Sequence, residues 1–284
     1  MEVKSYIPID LEDCLGELGN ENYWLFAGGT DLMIRKRQWH GASRKFVRPV
    51  MFINDLKELN GIESDDDYIY IKACNSLAEV YENDEAPEIL KKAIVSMANP
   101  EIRNMATIGG NVANAAKVGD TLPVLFLLDA RVELRSKNEK RIRKISDFIK
   151  GKYQTDLRKG ELLYQIIIPK KEYDINMFYK VGSRQGDTLS KLSVSCTMNI
   201  ENNFVNDFRV AFGAINNKSI RDRYIEEKLI NKSVSEAEGL IYTVLNGYQD
   251  LLYGDNDKRS TKRYREETAI KILHKFLKEA LNEK

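Results

Sequence analysis

The sequence predicts an α+β protein in two parts, and three observations carry that reading. The first half alternates short apolar strands with helices and holds two glycine-rich turns, at Gly28-Gly29 and Gly109-Gly110. A proline followed by two lysines, Pro169-Lys170-Lys171, closes an apolar run and marks a boundary, giving expected domains of 1–169 and 170–284. Beyond it, Leu192, Val194, Cys196, Met198 and Ile200 alternate with Ser193, Ser195, Thr197 and Asn199, the period-two pattern of a strand with one buried face. The second part is therefore expected to be a smaller α+β domain with an antiparallel sheet and C-terminal helices.

Each element has its own signal. Trp24-Leu25-Phe26 reads as a short strand entering the first glycine turn, and 32–37 as a short helix after it. An acidic turn at Asp65-Asp66-Asp67 precedes an apolar strand over 67–74. Residues 83–97 read as a helix: Pro87 suits a first turn, and Ile89, Leu90, Ala93, Ile94 and Met97 follow helical spacing until Asn99-Pro100 breaks it. The run 124–134 is apolar and strand-like, and 162–168 is a further strand ended by Pro169. Phe208, Val210, Phe212 and Ala214 repeat the period-two pattern, and Asn202-Asn203 suggests a hairpin that pairs this strand with the one before it. An amphipathic helix over 261–281 carries the stripe Ala269, Ile272, Leu273, Phe276, Leu277 and Ala280, which suits core or subunit packing.

Bulk properties limit the function. The net charge of +1 gives no strong pull towards nucleic acid, so none is expected as a partner. No apolar run reaches the roughly 18 residues of a membrane span, and the N-terminus lacks the apolar core of a signal peptide, so a cytoplasmic location is expected. Cys14, Cys74 and Cys196 are far apart and form no C-x-x-C pair, which disfavours a zinc or iron–sulfur site made by this chain and favours small buried hydrophobes. His40 and His274 are isolated, so no metal or histidine-centred catalytic site is expected. The segment 135–159, with Arg141-Ile142-Arg143-Lys144, is rich in basic residues and reads by default as a solvated turn.

The glycine turns carry the chemistry. Each doublet strips side chains from consecutive residues, so backbone N–H groups can approach a phosphate. Two such loops could clamp one diphosphate, which points to a dinucleotide or a flavin adenine dinucleotide. Neither matches G-x-G-x-x-G or the P-loop pattern, and either alone is equally a tight strand-to-helix turn.

The surrounding text resembles a known family. Ala27-Gly28-Gly29-Thr30-Asp31-Leu32, then Ile102-Arg103-Asn104 running to Ala106-Thr107-Ile108-Gly109-Gly110-Asn111, then Asn114 and Gly119-Asp120, are similar to the two FAD signatures of the FAD-binding subunit of xanthine dehydrogenase and carbon monoxide dehydrogenase, the molybdenum hydroxylases. Tyr179-Lys180-Val181-Gly182-Ser183-Arg184-Gln185 with 190–194, and 209–214 with Arg221, extend the resemblance over most of the chain. It implies a two-part FAD-binding domain of the vanillyl-alcohol-oxidase/PCMH type followed by the smaller α+β domain. It also implies non-covalent FAD, an iron–sulfur subunit and a molybdenum-cofactor subunit as partners, and NAD+ or another acceptor.

The resemblance also implies roles. Gly28, Gly29 and Thr30 would contact the pyrophosphate from one side and Gly109, Gly110 and Asn111 from the other, with Leu25, Phe26, Ala27, Asp31, Leu32, Thr107, Ile108 and Asn114 also binding the cofactor. Asp120 would accept from a ribose or adenine group, or else cap the helix that follows it. Leu163, near one end of its strand, would lie against the flavin ring, and Lys180 would place a cation near it. Without the resemblance these two read as a buried strand residue and a surface lysine. Two other readings remain: a self-contained FAD-dependent reductase of the UDP-N-acetylenolpyruvoylglucosamine reductase type, and an assembly protein with a vestigial nucleotide fold.

Overall fold

A computed structural model describes residues 4–36, 46–184 and 186–282. The chain forms two compact units. The first comprises Met1–Ala86, Ala98–Ala115 and Asp129–Lys170, the second Pro87–Met97, Ala116–Leu128 and Lys171–Lys284. Two short segments of the N-terminal half thus pack with the C-terminal residues.

Among the described residues, the first unit holds two larger sheets and a two-stranded one, Ile149–Gly151 with Gln154–Thr155. Ser5–Tyr6, Val50–Phe52 and Trp24–Phe26 pair in that order as a parallel sheet. Helix Leu11–Asn20 connects two of these strands and is N-capped by Asp10, which accepts from the Asp13 N–H. A five-stranded antiparallel sheet runs Ile62–Ser64, Tyr68–Lys72, Leu162–Pro169, Arg131–Arg135, Lys140–Lys144. Cys14, Leu18, Met51, Leu59, Cys74 and Leu162 share a core. Helices are started by local polar residues: Ser76 and Glu79 form a reciprocal capping box on Leu77–Glu82, and Asn99 caps Pro100–Met105, whose proline occupies the first turn.

The second unit is built on an antiparallel sheet of Ile175–Val181, Leu192–Glu201 and Phe204–Gly213. Asn202 and Asn203 both take positive φ, 50° and 67°, the turn geometry that matches strand twist, and the two flanking strands pair as the alternation predicts. Helices Val234–Leu251 and Lys262–Asn282 cover the core of this unit. The predicted stripe is buried at Ala269, Leu273, Phe276, Leu277 and Ala280, with Ile272 partly so. On the same helix Arg265 is fully buried, bonded to the carbonyls of Lys191 and Ala214 and to Asp257 at 2.7 Å.

Two element assignments change. The run 124–134 is not one strand: Thr121–Leu127 is a helix with all seven residues buried, Asp129 turns the chain at φ 55°, and the strand is Arg131–Arg135. A segment buried on every side shows no periodicity, so apolarity alone could not separate helix from strand. The helix expected over 83–97 is Glu88–Val95, since Asn83 already ends Leu77–Glu82 and Pro87 holds extended geometry at the N-cap. The helix after the first glycine pair is Thr30–Arg35; Arg37 and His40 lie outside the described residues.

Candidate functional site

The first glycine turn leaves the parallel sheet after Phe26. Gly29 has φ 69°, a left-handed value that glycine tolerates, and it caps Thr30–Arg35. A Cβ on Gly28 would overlap the Met105 carbonyl, so a bare backbone is required there for close approach. The six-residue helix begins too soon to supply acceptors behind it. Among the described residues no protein group accepts from the N–H groups of residues 28–32.

The second turn behaves differently. Thr107 caps helix Ile108–Asn114 and accepts from the Gly110 N–H at 3.1 Å, while the Asn111 N–H donates to the Thr107 carbonyl at 2.9 Å. The Gly109 N–H donates to Ala73 O at 2.9 Å, and a Cβ on Gly109 would stand 2.6 Å from that oxygen. Gly109 is bare because it packs on the end of strand Tyr68–Lys72. Gly110 faces less constraint, since its Cβ would meet only Thr107 Oγ1, at 2.7 Å. The two glycine pairs are not equivalent: the amides of the first are open, those of the second are already bonded.

Both turns line one cleft of about 500 Å³ in the first unit, a size that suits a cofactor. Of the residues expected in the site, Leu25, Ala27, Gly28, Gly29, Thr30, Asp31, Leu32, Thr107, Gly109, Gly110, Asn111, Asn114 and Leu163 line it. Phe26 and Ile108 do not. The Phe26 ring packs 5.0 Å from Phe52, and Ile108 is fully buried with its N–H on Asn75 O. Leu163 sits beside a register shift in its pairing with Arg131–Arg135, where Tyr164 is the extra residue of a bulge. Apolar Leu25, Ile53, Leu162 and Leu163 contribute a wall suited to a planar ring, and the open amides suit a diphosphate; the cations Arg35, Arg48, Arg158 and Lys159 and the carboxylates Glu21, Asp31 and Glu161 line the same cleft. The donor set therefore fits a dinucleotide.

Sequence reasoning missed those four cations. Arg158 and Lys159 belong to the basic segment that read as a solvated turn, and both are exposed, but Arg141 in the same segment is not. The Arg141 side chain is 10 % exposed, bonds Glu161 through two nitrogens at 2.6 and 2.7 Å, and bonds Asp156 at 2.6 Å. Glu161 lines the cleft, so this guanidinium fixes part of its wall. Arg184, by contrast, is exposed and bonds within its own loop to Asp187; Gln185 lies outside the described residues. All three cysteines are free and buried, and burial pushes the Cys14 and Cys74 thiols up to about 12.

Asp120 and Lys180 belong to the second unit and bind each other. Lys180 Nζ is 2.7 Å from Asp120 Oδ2, with side chains 8 % and 5 % exposed, and also donates to Ser96 O at 2.9 Å. Ser190 donates to the other carboxylate oxygen. Asp120 stands at the N-cap of Thr121–Leu127 but makes no side-chain cap bond. Burial raises its pKa against the opposing pull of Lys180 and Ser190. Lys180 is therefore no surface lysine, and its charge is balanced. Lys117, one turn before Asp120, pairs with Asp255 at 2.8 Å.

Comparison with known proteins places this architecture. Residues 1–171 match the FAD binding domain in molybdopterin dehydrogenase, and residues 177–280 match the CO dehydrogenase flavoprotein C-terminal domain. The chain belongs to this family of flavoproteins. FAD is its cofactor, and it is the FAD-binding subunit of a dehydrogenase of the molybdenum hydroxylase group. It is 29 % identical over 284 residues to the glyceraldehyde dehydrogenase medium chain of Sulfolobus acidocaldarius, covering 97 % of each chain. It is 26 % identical over 265 residues to the xanthine dehydrogenase FAD-binding subunit of Escherichia coli O157:H7, covering 91 % of this chain and 87 % of that one. The fold is that of a chain of reconstituted CO dehydrogenase from Oligotropha carboxidovorans, with a TM-score of 0.88 at 21 % identity over 99 % of this chain and 98 % of the other.

Two outcomes follow from the charges of this flavoprotein. The hydrogen bond from Arg141 lowers the Asp156 carboxyl; at Glu161 burial raises the pKa, but Arg141 and the Arg158 N–H outweigh it and the net shift is downward. Folded values below the unfolded ones, about 4, give stability that is full at neutral pH and lost as pH falls through the folded values. Arg141→Met is expected to destabilise at pH 7 and to approach wild type below about pH 4; urea titrations across pH check this, and a gap constant with pH contradicts it. Lys180→Ala would leave a buried carboxylate unpaired, a loss of about 3–5 kcal/mol. The double variant Lys180→Met with Asp120→Leu should lose much less, and equal losses in denaturant midpoints would refute that coupling.

Proposed function

We propose that the chain is the flavoprotein subunit of a multi-subunit, xanthine dehydrogenase-like molybdenum hydroxylase, with an iron–sulfur subunit and a molybdenum-cofactor subunit as partners. FAD, when bound, supplies one- and two-electron transfer, taking electrons from the iron–sulfur partner and delivering them to NAD+ or another acceptor. The observation that supports the site is the row of open amides at residues 28–32 on the wall of a cleft with four cations.

The chain's own residues hold and orient. The amides of residues 28–32, with the Thr30 hydroxyl, take the diphosphate oxygens. Gly110 and Asn111 line the opposite wall, and Leu163 with Leu25 and Ile53 excludes water from the ring. All residues of this proposal lie in the first unit; Asp120 and Lys180 stand outside it, paired with each other. The match of residues 177–280 to a CO dehydrogenase flavoprotein domain disfavours a self-contained reductase. No helix among the described residues is long and apolar enough to cross a membrane, and a cytoplasmic location is part of the proposal.

Gly110→Val tests the cleft. Its Cβ meets only the Thr107 hydroxyl, which can rotate away at the cost of its cap bond to the Gly110 N–H, so the fold should survive with lower stability while the methyls narrow the cleft. The expected result is loss of FAD from a protein with a wild-type circular dichroism spectrum, read by absorbance near the flavin bands and acid release of the flavin. Gly109→Val, driven into the Ala73 backbone, is expected to unfold instead. Normal flavin content in Gly110→Val would count against the assigned contact.

A further inference from the structure

The two helices at the glycine pairs are short: Thr30–Arg35, six residues, starts after the first pair, and Ile108–Asn114, seven residues, contains the second. One side chain spans them. Arg35, last in the first helix, donates from Nη1 to Asn114 Oδ1 at 2.9 Å; Asn114, last in the second, donates from Nδ2 to Asp31 Oδ2 at 2.7 Å. Both ends of the Asn114 amide are thus used within the protein, which fixes its orientation. The same guanidinium lies 4.5 Å over the Tyr153 ring, and the Tyr153 N–H donates at 2.8 Å to the carbonyl of Ala115, the left-handed residue that ends the Asn114 helix. Three chain segments meet at one planar cation, and Asp31, Arg35 and Asn114 all line the cleft.

We infer that Arg35 is a positioning residue for FAD: it sets the spacing of the two glycine turns by holding the Asn114 amide, rather than by neutralising the diphosphate. This rests on the FAD reading of the cleft. A guanidinium can donate in its plane and stack on an aromatic face together, whereas an ammonium cannot do both with the same geometry. Point-charge attraction would tolerate lysine and ignore the state of residues 31 and 114; a latch needs each donor among Arg35, Asn114 and Asp31 to face an acceptor.

The full chain is stripped of flavin and titrated with FAD, following flavin fluorescence, beside thermal melts of the stripped protein. Arg35→Met is expected to raise the FAD dissociation constant about tenfold, with little change in melting because Arg35 is exposed. Arg35→Lys should recover only part of that loss. Asn114→Asp sets a carboxylate against Asp31 and should weaken FAD binding; adding Asp31→Asn gives residue 31 an amide that donates to the new carboxylate, which still accepts from Arg35, and should recover most of the affinity. Equal affinity in Arg35→Met and wild type overturns the latch while leaving the FAD reading intact, as does full rescue by lysine or failure of the paired swap to recover binding. Wild type that takes up no FAD overturns the FAD reading, and the latch with it.

Discussion

The approach of Gly28 to the Met105 carbonyl is the constraint on which the cleft depends. No side chain fits between these backbones, so the turn after strand Trp24–Phe26 lies directly against the end of helix Pro100–Met105. The next residue, Gly29, must then turn through left-handed φ, and Thr30–Arg35 starts at once. A helix started that abruptly leaves its first amides without carbonyls. The sterics of two glycines thus produce a row of open donors on the wall of the cleft, and the proposed FAD site rests on them.

The second pair does a different job with the same residue type. Gly109 lets helix Ile108–Asn114 sit on the Ala73 backbone, and Thr107 and Ala73 take up its amides. The amides of the first pair stay open to the cleft, and those of the second are held by protein acceptors. Charge is arranged the same way. Arg141 serves Glu161 and Asp156, Lys180 serves Asp120, and Arg35 serves Asn114, so cations fix the positions of polar groups at close range.

What was legible in the sequence was local. The glycine pairs, the Asn202-Asn203 hairpin and the period-two strands each declare themselves within a few residues, and the structure has them. A helix after Asp120 was one alternative, but its run through Leu127 was not legible, because burial on all sides erases the pattern that separates helix from strand. The pairing of Asp120 with Lys180 was hidden for a different reason: two residues far apart in sequence, each with an ordinary alternative, give no local sign that they meet. Arg35 and Arg158 carried no motif at all, and only the folded chain brings them to the cleft. The basic run around Arg141 misled because charge density reads as solvent exposure, and its acidic partners Asp156 and Glu161 lie a turn and a strand away.

The most direct test of the account is amide hydrogen exchange read residue by residue, with and without FAD. Open amides at residues 28–32 should exchange quickly in the stripped protein and become protected when FAD binds. Those of Gly109, Gly110 and Asn111 should be slow in both states, because protein acceptors already hold them. Protection that appears only at the second turn, or none at residues 28–32 while FAD is demonstrably bound, would contradict the account.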